Sequence, residues 1–470
     1  MHRVSSLRRS VRLSVAEGGL ATAMGALFSG VFLIGFALAL GASRLQIGIL
    51  FTLPSLCAFA QLLGSYWIQR GGNCRRICLR MTAIARMLYL PLLLLPLLAT
   101  GLSPQARVWC VIGIMAVSDF CSSLSGVAWL SWIKAMVPPR LCVPFFGRRN
   151  LVNTGLAFAV CLVCGALVDQ VNAISGGQTV GFLLVFFMAM CCGLVGLALL
   201  AQIPDAGEPE SPDNEAPFRQ ALAAPLRETN FRRVTSYYVA WNMAVSLAAP
   251  FVPVFFLQKL GLPVWYIVLL NTLSNVIGLS ANQFWTRLAQ RFGVKPIVLL
   301  ATLGDAMFPL MLVFVDARWA WTLLIVHLTG VFSAPIAIGT DTFLLKLSPD
   351  RNASSYMAVF RTAVGLATAV AATLGGCLAE AWPDASAAGG LVAGLKLVFL
   401  ISFVGRVGSL WLLAGVREQG ARPVGEVLRF EAACWRRRLI GGKALVRPDA
   451  PGAAKPAPVL VSEAWDVEAS

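Results

Sequence analysis

The chain has few charged side chains. Only 13% of its 470 residues are Asp, Glu, Lys or Arg, about half of the roughly 25% that soluble domains carry. Hydrophobic residues make up 58%, and the mean hydropathy is +0.75. An ordinary protein core cannot bury an apolar excess of this size, so lipid must be the solvent for much of the chain. Soluble enzymes and nucleic-acid-binding proteins are therefore disfavoured.

The sequence also lacks the clusters that enzymatic or metal chemistry needs. Its 12 cysteines are dispersed, and Cys161 and Cys164 lie in an apolar run with no histidine or carboxylate cluster to complete a metal site. No glycine-rich loop followed by Lys-Ser or Lys-Thr is present to hold phosphates. We therefore predict no enzymatic activity, no cofactor and no metal, and we expect an ion gradient or downhill flow to drive any transport.

The hydrophobic residues fall into twelve apolar stretches, each long enough for a membrane helix of roughly 20 residues. The stretches are continuous and show no alternation of period two, so they predict helices rather than barrel strands. The fold class predicted is an all-α membrane protein. The predicted spans are 15–41, 46–68, 77–99, 107–133, 150–170, 178–202, 234–257, 263–285, 297–315, 319–345, 355–382 and 391–416.

The basic residues indicate how these spans are oriented. If both termini are cytoplasmic, 30 Lys and Arg residues lie on the cytoplasmic side and four on the opposite side. Basic residues collect in cytoplasmic loops, so this distribution predicts cytoplasmic termini. It also accounts for the net charge of +16 without a nucleic acid partner.

A polar segment divides the twelve spans into two sets of six. Residues 203–230 contain five prolines and six acidic residues, a composition that neither spans a membrane nor packs a core. Beyond the last span, Leu428, Ala432, Trp435 and Leu439 recur at helical spacing, which is typical of a helix on the membrane surface, with a loose charged tail as the alternative. The predicted divisions are a cytoplasmic segment 1–12, a bundle 13–202, a linker 203–230, a bundle 231–416, and a cytoplasmic tail 417–470 that is partly amphipathic and then disordered.

The two halves repeat one another. Gln69-Arg70-Gly-Gly follows the second span, and Gln290-Arg291-Phe-Gly follows the eighth, in both cases with further basic residues. Lys-Ala-Met-Val-Pro at 134–138 and Lys-Leu-Ser-Pro at 346–349 form a second matching pair after spans four and ten. Repeated six-helix units of the same orientation are typical of transporters with a central site between two bundles.

At these segments the chain resembles the major facilitator superfamily, over roughly residues 13–416. The loop signature of that superfamily has a small residue followed four positions later by Asp-Arg-x-Gly. The resemblance implies alternating access, with helices one, four, seven and ten lining the solute path. Gln69 and Gln290 stand where the signature has Asp, so we expect the gate contact made with Arg70 and Arg291 to be weaker or differently built.

Ionisable groups within the spans are candidate functional residues, because each must find a partner or water in the membrane. Asp119 lies near the middle of helix four and could bind a cation or carry a coupling proton. The alternative is a structural pair with Arg86 of helix three. His327 in helix ten could couple protons or bind substrate, or be satisfied by helix carbonyls or by the hydroxyl of a neighbour.

Other polar residues complete the set of candidates. Helix seven carries Tyr238, Trp241 and Asn242, which could line a solute cavity or act as interfacial anchors. Gln61 in helix two could contact solute or hydrogen-bond between helices.

Several charges are predicted to form pairs. We predict an inner-gate ion pair between Asp341 and Arg361, with static packing as the rival. An ion pair of the supporting helices is predicted between Asp305 and Arg406, with a functional site as the alternative. Glu17 is assigned a structural role at the start of helix one, where the helix dipole favours a carboxylate.

Together these features predict a secondary transporter that moves a small solute across a bacterial cytoplasmic membrane, with coupling to protons as one option. The expected partners are the solute and membrane lipids, and a monomer is expected to be functional. A transport-inactive relative that acts as a sensor or assembly factor is the alternative.

Overall fold

The computed structural model describes residues 2–69, 73–98, 101–205, 225–348, 353–382, 394–418 and 420–439. Eleven of its helices are long and apolar enough to cross a membrane. The remaining predicted span, the second (46–68), consists of two shorter helices, Arg44–Cys57 and Ala60–Gln69, with Pro54 one turn before the break. The predicted all-helical membrane architecture is confirmed.

The first six spans are labelled α1 to α6. Their bounds are α1 (His2–Leu27 and Gly30–Ala39), α2 (Arg44–Cys57 and Ala60–Gln69), α3 (Cys74–Met87 and Tyr89–Leu98), α4 (Pro104–Met136), α5 (Pro139–Ser175) and α6 (Val180–Ala201). α5 begins eleven residues before the predicted position, because Pro138 and Pro139 start the helix there and Pro is well suited to the first helical turn.

The remaining helices are labelled α7 to α13. Their bounds are α7 (Thr229–Ala248, Phe251–Val254 and the π-helical Phe255–Lys259), α8 (Val264–Phe292), α9 (Val294–Phe314), α10 (Ala317–Thr322, Leu323–His327, Leu328–Phe332 and Ser333–Leu347), α11 (Ala353–Ala381), α12 (Leu395–Ala414) and α13 (Val424–Leu439). α7 is interrupted at Ala249 and Pro250, as expected for a proline that cannot continue the hydrogen-bond ladder.

The spans pack as two bundles, α1–α6 and α7–α12. We call the end of the molecule at which α1 begins and α12 ends the terminal face, and the opposite end the far face. In the far half, one buried apolar cluster includes residues of both bundles, among them Phe36, Phe186, Phe251 and Phe399. In the terminal half, each buried apolar cluster of the described residues belongs to one bundle. The bundles therefore share a core only in the far half.

The first connection between the bundles is the packing of α2 against α11. A Cβ atom at Gly48 would lie 2.5 Å from the carbonyl oxygen of Ala372, and one at Gly376 would lie 2.9 Å from the Cα atom of Leu45. The two backbones can approach this closely only because both residues are glycine. The carboxylate of Glu380 accepts the backbone N–H of Leu45 at 3.0 Å, in the first turn of α2.

The second connection repeats this arrangement between α5 and α8. The carboxylate of Asp169 accepts the backbone N–H groups of Val264 and Trp265 at 3.0 and 2.8 Å. In both connections a carboxylate near the end of one helix caps the N-terminus of a helix in the other bundle. Such a contact satisfies free N–H groups and is favoured by the helix dipole. The internal repeat therefore extends to the contacts that close the far face.

A strap that follows α12, residues 415–418 and 420–439, ties helix ends together at the terminal face. Glu418 accepts the backbone N–H groups of Val294 and Lys295 at 3.2 and 2.7 Å, and its side chain forms an ion pair with Lys346 at 2.8 Å. The backbone N–H of Arg422 donates to the carbonyl of Phe292 at 2.9 Å. The strap thus joins α8, α9, α10 and α12.

α13 is a helix, as the spacing of its apolar residues predicts, but a different face packs against the bundle. Val427 is buried against Trp285, Leu288 and Phe292, whereas Leu428 is 54% exposed. The reason is that Val427 and Phe430 are the residues of α13 that pack against the ends of α8 and α9. Trp435 and Leu439 lie beyond the described side chains.

We expect Glu418→Gln to lower the thermal unfolding midpoint of the detergent-purified protein. Glu418 is 5% exposed, and its loss of charge removes an ion pair and weakens the cap on α9, a cost of about 1–3 kcal/mol. Glu426→Gln is the control, because Glu426 pairs with Arg422 at 3.5 Å with both side chains about half exposed, and exposed pairs contribute little. Equal midpoints for the two variants would contradict the role of Glu418.

Candidate solute pathway

The inner faces of α1 and α4 border open space in the terminal half. Ser122 and Gly126 of α4 and Gly25 of α1 are exposed, and a Cβ atom at either glycine would meet nothing within 4 Å. All three residues line a cavity of about 230 Å³ among α1, α3 and α4. The cavity is therefore partly polar and lies within membrane-spanning helices.

A buried carboxylate and two arginines form one wall of this cavity. Glu17 of α1 pairs with Arg86 of α3 at 3.0 Å and with Arg149 of α5 at 3.4 Å. Arg86 also donates to the carbonyl oxygen of Gly193 in α6 at 2.6 Å. The cluster joins four helices of the bundle, and its charges leave a surplus of one positive charge beside the cavity.

The structure corrects the predicted role of Glu17. Because the basic N-terminal residues are themselves helical from His2, Glu17 lies four turns into α1 rather than at its start. Its carboxylate is 6% exposed and is held by arginine side chains, not by a helix N-terminus. The same contact shows that Arg86 pairs with Glu17 rather than with Asp119.

Glycines make room for both arginines. A Cβ atom at Gly18 would lie 2.6 Å from the Nε atom of Arg149, and one at Gly196 would lie 3.0 Å from Nη1 of Arg86. Arg149 stacks over Trp129, with Cζ 4.1 Å from the ring centroid. The Nε1–H group of Trp129, a residue of the cavity wall, is buried and has no hydrogen-bond partner among the described residues.

Asp119 lies on the same side of α4 as Ser122 and Gly126, one and two turns from them. No hydrogen bond or ion pair of the described residues involves its carboxylate. Ser118, rather than Asp119, faces α3 and donates to the carbonyl of Ala85 at 3.1 Å. Because Ser118 faces α3, the next residue, Asp119, points away from Arg86. Asp119 is therefore an ionisable group inside a span that has no charged partner among the described residues.

The C-terminal bundle contains its own buried ion pair. Arg406 of α12 donates to the carboxylate of Asp305 in α9 at 2.7 Å and to its backbone carbonyl at 3.0 Å. The predicted pair is confirmed. Cζ of Arg406 lies 5.5 Å from the ring centroid of Trp241, and Trp241 is 5% exposed. Trp241 therefore packs on this pair.

Tyr238 and Asn242 form hydrogen bonds within the C-terminal bundle. Tyr238 is 1% exposed, its hydroxyl donates to the carbonyl of Ile336 at 3.4 Å, and its ring packs edge-on against Phe360. Asn242 is half-buried, and its amide donates to the carbonyl of Tyr238 at 2.8 Å. Of the predicted candidates on α7, Asn242 is the more accessible.

His327 lies in the shared apolar core of the far half. It is 2% exposed and packs between Phe256 and Phe308, with ring centroids 6.0 and 5.5 Å away. Its Nδ1 is 2.8 Å from the carbonyl oxygen of Leu323. This is the contact with a helix carbonyl that the alternative to proton coupling predicts. Tighter 3₁₀ turns flank it in α10.

The structure describes the signature loop after α8 more completely than the signature loop after α2. Arg70 and the side chain of Gln69 lie outside the described residues. Gln290 is exposed, and Arg291 stacks over Phe430 of α13, with Cζ 4.0 Å from the ring centroid. The arginine after α8 therefore contacts the strap. Gln61 of α2 is exposed.

The predicted ion pair between Asp341 and Arg361 does not form in this structure. Both residues are exposed, and no ion pair joins them. The physical reason is the packing of their helices. α10 packs mainly on α9 and α8, α11 packs mainly on α2 and α7, and the contact between α10 and α11 is small. A pair that forms when the terminal face closes stays a prediction.

Sequence reasoning missed four residues that the structure places at contacts between helices: Arg149, Asp169, Glu380 and Glu418. Arg149 was counted only as a loop charge, because α5 was expected to begin at residue 150. Asp169 and Glu380 lie near the far ends of α5 and α11, which occupy matching places in the two halves. The internal repeat could therefore have identified Asp169 and Glu380 as a matching pair.

Comparison with known proteins supports the same architecture. Residues 269–448 match the family model described as Major Facilitator Superfamily. No curated protein matches the chain at a significant level of sequence similarity.

Solved structures of transporters share the fold at low sequence identity. The nucleoside transporter NupG is 12% identical, with a TM-score of 0.64 over 87% of this chain and 98% of that chain. The xylose transporter XylE from E. coli, in an inward open conformation, is 14% identical, with a TM-score of 0.61 over 90% and 99% of the two chains. A bacterial homologue of the iron transporter ferroportin in an inward-facing state is 13% identical, with a TM-score of 0.63 over 86% and 98%.

Two carboxylates of the cavity region should respond differently to neutralisation. Glu17→Gln leaves two buried arginines without their counter-charge, a change that costs about 3–5 kcal/mol, so we expect a lower unfolding midpoint and a lower yield of folded protein. Asp119→Asn removes no ion pair, so its midpoint should stay within the range of a neutral substitution. Thermal unfolding in detergent measures both. A stable Glu17→Gln protein, or a destabilised Asp119→Asn protein, would contradict this assignment of roles.

Proposed function

We propose that the chain is a secondary transporter of the major facilitator superfamily that moves a small solute by alternating access. The fold that it shares with solved transporter structures and the match of residues 269–448 to the family model support this proposal. The two bundles are the moving parts. Their shared core in the far half and their separate cores in the terminal half support this proposal, since a rocking motion needs one closed and one open end.

The proposed orientation follows from the basic residues. Terminal-face segments carry most of the Lys and Arg residues, so the terminal face is cytoplasmic under the positive-inside rule. The conformation described here is then closed to the outside and open to the cytoplasm. We place the protein in a bacterial cytoplasmic membrane as a monomer, with bundles 13–202 and 231–416 and a linker 203–230.

The cavity beside Glu17 is the proposed solute-contacting surface of the N-terminal bundle. Its wall includes Ser122 and the two arginines. Asn242 and Gln61 are proposed polar contacts on the path. Tyr238, Trp241 and His327 are more deeply buried and are proposed to support the path rather than to bind solute.

Asp119 is the proposed coupling residue. A membrane-embedded carboxylate without a charged partner is costly unless it faces water or exchanges a proton. Asp119 is half-buried, and its carboxylate has no partner among the described residues. The absence of a partner for this carboxylate among the described residues is the single observation that carries the assignment.

Solute uptake into proteoliposomes tests the function. Over a panel of sugars, nucleosides, amino acids and organic acids, we expect flux of at least one solute class, and a higher flux under an imposed proton gradient. Asp119→Asn should abolish the effect of the gradient while the protein remains folded. Asp205→Asn is a matched control, because Asp205 lies at the terminal face, where it accepts a hydrogen bond from Asn73 at 2.8 Å.

Two results would overturn these proposals separately. Wild-type flux and wild-type gradient dependence in Asp119→Asn would exclude the coupling role but leave transport intact. If no solute of the panel is transported or bound, that result would contradict transport itself and favour a transport-inactive sensor.

A further inference from the structure

A basic cleft lies at the terminal face between the start of α9, the end of α12 and the strap. Its volume is about 690 Å³. Four cationic side chains and one carboxylate line it: Arg233, Lys295, Arg417, Arg422 and Glu418. The cleft therefore has a surplus of three positive charges, and its lining comes from α7, α9, α12 and the strap of the C-terminal bundle.

The contacts within the cleft leave most of this positive charge unneutralised. Lys295 donates through Nζ to the carbonyls of Ala414 and Val416, both at 2.8 Å, and keeps its third N–H. Arg233 donates from Nη1 to the carbonyl of Gly415 at 2.9 Å. These acceptors are neutral carbonyls. Glu418 is the one carboxylate of the lining, and both of its oxygens already accept hydrogen bonds from Val294, Lys295 and Lys346.

The side chains of Arg417 and Arg422 are exposed at the mouth of the cleft. The strap is held at these positions by backbone groups, because the N–H and carbonyl of Arg417 bond to Asn230 and the N–H of Arg422 bonds to Phe292. The guanidinium group of Arg422 contacts Glu426 at 3.5 Å, with both side chains about half exposed. Because an exposed pair of this kind contributes little to stability, the guanidinium of Arg422 can exchange Glu426 for another anionic group at low cost.

An apolar, exposed stripe of α12 leads into this cleft. Val404 is 60% exposed and Trp411 is 81% exposed, and they lie seven residues apart on one side of the helix. Gly415, one turn beyond Trp411, lines the cleft. An exposed tryptophan at the end of a membrane helix marks the level of the lipid headgroups, so the cleft lies where a headgroup phosphate would be.

We propose that this cleft binds the phosphate headgroup of an anionic membrane phospholipid, whose acyl chains lie along the Val404 and Trp411 stripe of α12. Arg417 and Arg422 contact the phosphate, and Lys295 and Arg233 supply the positive field behind them. Basic pockets at the cytoplasmic side of membrane helices suit anionic headgroups in this way. The bound lipid would join α9, α12 and the strap at the terminal face.

The experiment measures the thermal unfolding midpoint of the delipidated, detergent-purified full chain with added phosphatidylglycerol, phosphatidylcholine or inorganic phosphate. We expect phosphatidylglycerol to raise the midpoint by about 3 °C or more, as ligands of the folded state do. Phosphatidylcholine, which has the same acyl chains but no net charge, should raise it far less. Inorganic phosphate, which lacks the chains, should have no effect at the same concentration.

The double variant Arg417→Gln with Arg422→Gln should keep the lipid-free midpoint of the wild type and lose the increase caused by phosphatidylglycerol. Arg76→Gln with Arg80→Gln is the matched control, because these are exposed terminal-face arginines of α3 outside the cleft and the charge change is the same. This control should keep the increase.

Three outcomes would overturn the proposal. An equal effect of the two phospholipids would show that headgroup charge is not recognised. An effect of inorganic phosphate equal to that of phosphatidylglycerol would identify a site for free phosphate instead. Equal loss of the effect in both double variants would show a general response to surface charge rather than binding in the cleft.

Discussion

The close packing of α2 against α11 is the constraint on which the rest of the structure depends. Without side chains at Gly48 and Gly376, the backbones of two helices from different bundles come into contact, and the carboxylate of Glu380 then reaches the first turn of α2. Asp169 makes the equivalent contact on α8. Both contacts lie in the far half, so they hold the bundles together at one end and leave the inner faces of α1 and α4 accessible from the other.

Each bundle is also held by buried ion pairs, but the acidic and basic residues lie on different helices in the two bundles. The N-terminal bundle has its acid on α1, at Glu17, and its arginines on α3 and α5. The C-terminal bundle has its acid on α9, at Asp305, and its arginine on α12. Buried ion pairs demand specific geometry because removal of either partner leaves an uncompensated charge. They therefore fix the packing inside each bundle, while the contacts between bundles at the far face are made by helix caps that can open at lower cost.

The sequence predicted the helices, their division into two sets of six and the pair of Asp305 with Arg406, because hydrophobic length and charge in a membrane are strong constraints. It did not predict which helix faces meet. Arg86 was matched by depth to Asp119, yet a rotation of one residue places Ser118 against α3 and leaves Arg86 to Glu17. Asp341 and Arg361 were matched by depth as well, although their helices pack on other partners. The depth of a residue in the membrane can be counted along the chain, whereas the rotation of a helix about its axis depends on packing among several helices.

The most direct test of the account is whether the far face must open for transport. In a cysteine-free background, Arg44→Cys and Glu380→Cys place one thiol on each side of the α2–α11 contact, and a short reducible thiol crosslinker can join them in proteoliposomes. The account predicts that solute flux stops when the crosslink has formed, returns on reduction, and is unaffected by the reagent in either single-cysteine variant. Undiminished flux with the crosslink fully formed would contradict alternating access through the far face.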